Sequence, residues 1–482
     1  MTWYLWLILA VCAVLVILIA VVLIRTALFK PKKQEEVEPF EVHCDAGKAT
    51  RDLASMIRCK TVSYTDEKME DDAEFEKFIG LLPGMFPNVF ACCEYTQLNK
   101  RAILFRWKGR DSSKCRVMMA HFDVVPVVES GWDKPAFDGI LENGELWGRG
   151  TLDTKSTLNG VLQAAEQLIG EGFVPENDLY LAFGGNEEQN GYGAPSIVAY
   201  FKEKGIRPAM VFDEGGAIVE NVFPGVKEPA AVVGIAEKGM MNLKMEIRGN
   251  GGHASTPPQH TPVGRLSKGC ANVEKHPFRY TLSEPVKQMF DVMGRRSTFL
   301  YRMIFANLWL FGGLLNLICK KSGGELNALV RTTCAFTMME GSAAPNVIPA
   351  QAGMTANIRI MCGETSDSVE KRISGLMGDD SITYSRIYWS DPTTVSRTDN
   401  EEWEKTVKAI KQTWDGVLVS PYLMIACSDS RHYSGICDSV YRFSAMAMTH
   451  AERDMIHGNN ERIKVENIAK VVEFYLRLMQ YC

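Results

Sequence analysis

The sequence predicts an α/β protein. A sheet covered by helices on both faces is interrupted by a smaller α+β domain and preceded by one membrane-spanning helix. Three observations lead there. Short apolar runs that stop abruptly at polar residues alternate with helix-like stretches. Between about residues 238 and 390 this pattern gives way to alternating, half-exposed strands. Residues 3–24 carry no charge at all.

The uncharged segment comes first. At about 1.5 Å per residue it is roughly 33 Å long, enough for a hydrocarbon core of about 30 Å. A cleaved signal peptide would need a basic start and a shorter apolar run. Met1, Thr2 and Trp3 offer no basic side chain, so residues 1–30 read as an uncleaved anchor. Arg25, Lys30, Lys32 and Lys33 follow the span and no basic residue precedes it. The excess of basic residues on the cytoplasmic flank of membrane helices therefore places the rest of the chain in the cytoplasm. The 13 cysteines agree: their number is odd, none forms a CxxC pair, and a chain of 482 residues needs no disulfide staples. A net charge of -5, with no basic cluster, gives no reason to expect a nucleic-acid partner.

Residues 31–44 are a linker, polar and rich in Glu and Lys at its start. Residues 45–237 and 391–482 read as two parts of one domain, with 238–390 inserted as a lid. Runs 115–120, 179–183 and 209–212 are apolar and end at His121, at Glu187-Glu188 and at Asp213-Glu214, as buried strands do. Stretches 157–169 and 196–204 are helix-like, the second closed by Gly205. Val465, Ile468, Val472, Tyr475, Leu476 and Met479 form the stripe of a covering helix. In the insert, 241–247 and 355–360 alternate like strands, and 366–376 is helix-like.

The chemistry gathers at the strand ends. In His121-Phe122-Asp123, residues i and i+2 share a side of the strand, so Asp123 can hold the imidazole. Asp153 lies past two glycines and before a helix, where it could also be no more than a cap. The adjacent Glu187 and Glu188 repel each other unless cations are near, or else sit on a solvated loop. Asp213 ends a third strand, and His457 supplies a distant second imidazole. Taken together, these groups occupy consecutive strand ends of one sheet, where α/β proteins bind ligands. The charges of Asp153, Glu188, Asp213 and one hydroxide balance two divalent ions, with His121 and His457 as neutral ligands.

The ordered motifs resemble a known family. They are residues 120–126 (AHFDVVP), 148–156 (GRGTLDTKS), Glu187-Glu188, 251–258 (GGHASTPP) and 457–461 (HGNNE). The chain is similar to the aminoacylase, carboxypeptidase S, glutamate carboxypeptidase and succinyl-diaminopimelate desuccinylase family of co-catalytic zinc enzymes. Within it, the chain most resembles the branch of carboxypeptidase S and the N-fatty-acyl-amino-acid hydrolases. The resemblance implies a zinc-peptidase-like catalytic domain with a mixed sheet and a dimerisation-type lid. It implies two zinc ions, cobalt or manganese being alternatives, and hydrolysis of an amide bond in an N-acyl amino acid or short peptide with a free carboxylate. His121 and Asp213 would bind one ion, Glu188 and His457 the other, with Asp153 bridging. Asp123 would support His121, and Glu187 would be the general base. His253 would steady the oxyanion, in some relatives from a neighbouring subunit, so a homodimer through the lid is implied. Asn346 and Arg359 would bind the carboxylate side of the substrate. Members of this branch are also found on the lumenal or outer side of membranes, against the charge rule. Asn186, Cys362 and Ile425-Ala426-Cys427 depart from commoner residues of the family, and bear on specificity.

Residues 303–319 form a second uncharged stretch. It cannot cross the bilayer without putting His457 on the far side from the other site residues. It reads as a helix buried in the lid or an interface, or else as an apolar wall for an acyl chain or a surface dipping into the membrane.

Overall fold

The computed structural model describes residues 3–32, 37–220 and 223–482. Met1, Thr2 and Lys33, which enter the reading of the anchor, lie outside the described residues, as does linker stretch 33–36. Helix α1 (Trp3–Leu28) buries only Val22 and Thr26. It is long and apolar enough to span a membrane.

The main sheet begins with β1 (Glu94–Asn99), β2 (Ala102–Trp107) and β3 (Asp111–His121). Helix α2 (Lys155–Gly170), β4 (Asn177–Gly184), α3 (Gly193–Glu203), β5 (Met210–Val219) and β6 (Ala230–Glu237) follow. The lid holds β7 (Gly239–Arg248), β8 (Gly252–His253) and α4 (Pro262–Lys275). Three helices come next: α5 (Glu284–Arg296), α6 (Phe299–Ala306) and α7 (Leu308–Ser322). The lid resumes with β9 (Thr333–Glu340), β10 (Val347–Ile348), β11 (Gln351–Ile360), α8 (Ser366–Met377) and β12 (Thr383–Ser390). The chain returns through β13 (Leu418–Met424) and β14 (Val440–Ala447) to α9 (Val465–Gln480).

The main sheet is mixed, in the order β1-β2-β4-β3-β5-β14-β6-β13. Its centre is parallel, and β1-β2 add to it antiparallel. Period-2 alternation sends neighbouring side chains to opposite faces. Cys115, Val117 and Met119 of β3 pack with Ala194, Ile197 and Phe201 of α3. Met118 and Ala120 join the core on the other face, with Leu158 and Leu162 of α2 and Val471 and Tyr475 of α9. Because β3 and β4 run parallel with His121 opposite Gly184, the residues that follow both strands emerge on one edge.

The lid sheet, β9-β11-β7-β12, has its own core, built from Met241, Leu243 and Met245 with Leu266 of α4 and Ile373 of α8. The insert divides in two by its packing. Val286, Met289, Phe290, Met293, Phe305 and Cys319, from α5 to α7, join the main-domain core rather than the lid core. The stretch 303–319 is therefore not a helix buried in the lid: most of α7 is open, and of its residues only Cys319 is buried.

Helices α2 and α9 meet at Gly160, where an added Cβ would lie 2.3 Å from Val471 Cγ1. Gly160→Val is expected to destabilise the protein by about 1–3 kcal/mol through overpacking. A lowered denaturation midpoint checks this, and an unchanged one would refute the close approach.

Candidate metal centre

The parallel edge gathers two imidazoles around one carboxylate. Asp153 Oδ1 lies 3.0 Å from His121 Nε2, and Asp153 Oδ2 lies 3.0 Å from His457 Nε2. Glu214 Oε1 is 3.2 Å from His121 Nε2, and Glu188 Oε2 is 3.0 Å from His457 Nε2. Two three-donor sets thus share Asp153, each with one nitrogen and two carboxylate oxygens. Among the described residues, His121, Glu187 and Glu214, and likewise His121, Asp153 and Glu188, approach closely enough to hold an ion.

The structure differs from the sequence reading at Asp213. Successive residues of a strand face opposite ways. Glu214 turns to His121, while Asp213 accepts the Ser430 amide at 2.9 Å and lies outside the cluster. The position expected for Asp213 is taken by Glu214, its neighbour in the same motif.

Asp123 stands beside His121 and also does more than that. Its backbone carbonyl, rather than its carboxylate, is the closer partner of His121 Nδ1, at 3.0 Å against 3.4 Å for Oδ1. The buried carboxylate accepts the amides of Glu187 and Glu188, at 3.0 and 3.1 Å, and the Ser63 hydroxyl at 2.8 Å. It fixes the one-turn helix Glu187–Gln189 that carries both acids.

Other anchors were not assigned from sequence. Buried Glu461 accepts the amides of Gly150 and Leu152, at 3.1 and 2.7 Å, and the Arg149 guanidinium at 2.5 Å. It shapes the loop that presents Asp153, and its place in the final HGNNE motif was the only signal for it. Glu237 receives the Ser428 amide and hydroxyl and pairs with buried Arg442, supporting loop 428–431. Arg431 in that loop stands 3.8 Å from Glu187. Nothing in the pattern around Ser63 or Glu237 marked them.

The electrostatics call for cations. Burial pushes the Glu187 carboxyl well up, opposed by His121. Burial, reinforced by Asp153, raises Glu188 to about 7 and Glu214 to about 8. Hydrogen bonds to Asp153 and Glu188 raise His457 to about 10. Burial works against a charged His121, yet Glu214, Asp123 and Asp153 outweigh it and hold its pKa well above the ordinary value. Buried acids crowded in this way lack the positive charge that divalent ions would supply, so the donor set fits a metal pair.

The remaining candidates lie on the lid. His253 and Asn346 are exposed and adjacent, with the Asn346 carbonyl accepting the Ala254 amide at 3.0 Å. Among the described residues, neither hydrogen-bonds to the cluster. His253 Nδ1 meets the Ser255 hydroxyl at 2.7 Å and accepts the Ser255 amide at 3.1 Å. Arg359 of β11 reaches across to Cys427 of the main domain, with Nη1 3.2 Å from Sγ.

Paired imidazoles and crowded carboxylates at the parallel edge of a lidded α/β sheet define a site that could hold two metal ions. The family model described as peptidase family M20/M25/M40 matches residues 117–481, and the chain belongs to that family. It is 33% identical to the probable carboxypeptidase S-like 2 of Dictyostelium discoideum, over 92% of this chain and 87% of that protein. It is 34% identical to an N-fatty-acyl-amino acid synthase/hydrolase of Xenopus tropicalis, over 97% of this chain and 93% of that one. The fold is shared with a metallo-carboxypeptidase of the M20 family from Sulfolobus solfataricus. That match has a TM-score of 0.66 and 15% identity, and covers 90% of this chain and 98% of the other.

The two neighbouring acids can be told apart. Glu214→Ala is expected to lose about one equivalent of bound metal, because it removes a donor beside His121. Asp213→Asn should keep its metal. Metal analysis of the purified variants checks this, and the reverse pattern would restore Asp213 as the ligand.

Proposed function

We propose that the chain is a membrane-anchored, two-zinc hydrolase that cleaves N-acyl amino acids at the amide bond. The observation that carries this reading is Asp153, whose two oxygens face one imidazole each at 3.0 Å. His121, Asp153 and Glu214 would hold one zinc ion, and Asp153, Glu188 and His457 the other. When bound, such a pair supplies a water of lowered pKa and polarises the scissile carbonyl. Glu187 is the general base: it takes a proton on its carboxylate and passes it to the leaving amide nitrogen. Arg431 keeps a positive charge near that carboxylate. Arg359 grips the substrate carboxylate from the lid, with Asn346 beside it, and this orients the amide over the site. His253 Nε2 donates to the developing oxyanion. Its exposed position, clear of its own cluster, supports donation to the site of a second copy paired through the lid.

The name of the Xenopus relative supports fatty-acyl amino acids as substrates. The name of the Dictyostelium relative supports a second reading, carboxypeptidase action on short peptides. Helix α1 would remain as an uncleaved anchor, and Arg25 in its last turn, with Lys30 and Lys32 after it, favours a cytoplasmic catalytic part. Protease added to intact cells should then leave the domain uncut, whereas digestion from outside would reverse the orientation.

Glu187→Gln is expected to retain its metal and to lower kcat by about 10²–10⁴-fold, the usual worth of general acid–base catalysis. Turnover of N-acyl amino acids and dipeptides, measured with metal content, checks this. Near-normal kcat would remove Glu187 from the reaction.

A further inference from the structure

Helices α6 and α7 meet at a 111° bend. With 8 and 15 residues they are roughly 12 and 22 Å long, so neither crosses a hydrocarbon core of about 30 Å. Both ends of the pair return to the same core. Met293 before it and Val330 after it are each 1% exposed within the main-domain cluster. The elbow therefore lies on one side of any membrane.

Its outer surface is apolar. From Phe299 to Ile318, every exposed residue is aromatic, aliphatic or glycine. Trp309 is 57% exposed, Leu300 61% and Leu317 50%. A soluble surface seldom leaves so many large apolar side chains contiguous in sequence without a partner. Within the elbow the one charged residue is half-buried Arg302 of α6, and Lys320 and Lys321 follow at the far end, in the last turn of α7.

The corner of the elbow is bonded to the end of α1. Arg25 donates to the Ala306 carbonyl through Nε and Nη2, at 3.2 and 3.1 Å. Asn307 Nδ2 donates to the Val22 carbonyl at 3.2 Å and to Thr26 Oγ1 at 3.3 Å. Arg295 of α5 donates to the Lys30 carbonyl, and Lys32 pairs with Asp291. Val22 to Thr26 is where the uncharged segment of α1 runs out, so the bend sits at the level where a span would leave the hydrocarbon.

We infer that α6 and α7 bed into the lipid leaflet in which α1 ends, with Trp309 and its apolar neighbours among the acyl chains. This rests on reading α1 as a span. The elbow is an in-plane attachment of the catalytic body, distinct from the anchor.

The test uses the full chain reconstituted in phosphatidylcholine vesicles. Tryptophan fluorescence is recorded with brominated phosphatidylcholine and with aqueous acrylamide, for the wild type and for Trp309→Phe, and the difference gives the Trp309 component. That component should lose most of its intensity to the brominated lipid and little to acrylamide. Quenching by acrylamide alone would overturn the inference, and so would shielding from both, which would mean a protein partner covers the face. A measurement on the wild type does not depend on the variant: photoactivatable phosphatidylcholine should leave adducts on tryptic peptide 303–320, and their absence would overturn the inference. Trp3 and Trp6 report separately on α1. If they escape lipid quenching and alkaline carbonate releases the chain, the anchor fails. Trp309 quenched in that case would keep the elbow in lipid but overturn its tie to a leaflet in which α1 ends.

Discussion

Negative charge crowded into a buried strand edge is the constraint on which the rest of this structure depends. Glu187, Glu188 and Glu214 gather with Asp153 about two imidazoles, and burial disfavours the charge of the three glutamates while the imidazoles hold the Asp153 carboxyl well down. Such a cluster holds its shape only if each acid is fixed from behind. Asp123 fixes the Glu187–Glu188 turn, Glu461 fixes the Asp153 loop, and Glu237 with Arg442 fixes the loop that brings Arg431. Each support is itself a buried acid satisfied by backbone amides or a guanidinium. One unfavourable concentration of charge is thus held in place by several satisfied ones.

Much of this was legible in the sequence. Apolar runs ending at His121, at Glu187-Glu188 and at Asp213-Glu214 mark strands of one parallel edge, and parallel pairing brings their ends together. The choice between Asp213 and Glu214 was not legible. Both are acids, and only the parity of the strand, set by which face packs on α9, decides which one turns inward. Ser63 and Glu237 carried no signal because their partners are backbone amides and side chains distant in sequence. The helices α5 to α7 lie within the inserted segment, yet they bury Met289, Phe290 and Phe305 against the main domain. Linear order could not show that, since apolar faces look alike whichever core they join.

The lid meets the main domain through polar as well as apolar contacts. Arg359 touches Cys427, and Lys238 donates to the carbonyls of Ala328 and Arg331 where the lid begins. Burial lowers the Lys238 pKa to about 7, and the charge of Arg359 adds to the effect.

Glu461 has a consequence for how the site comes into being. The loop that presents Asp153 is held by an acid more than 300 residues later, and His457 comes from the same late turn. Residues 462–464 then pair with 145–147, and α9 packs on α2 only after that. The three strand ends that carry His121, Glu188 and Glu214 come long before these partners in the chain. A chain that lacks residues 457–461 therefore lacks both His457 and the acid that holds the Asp153 loop.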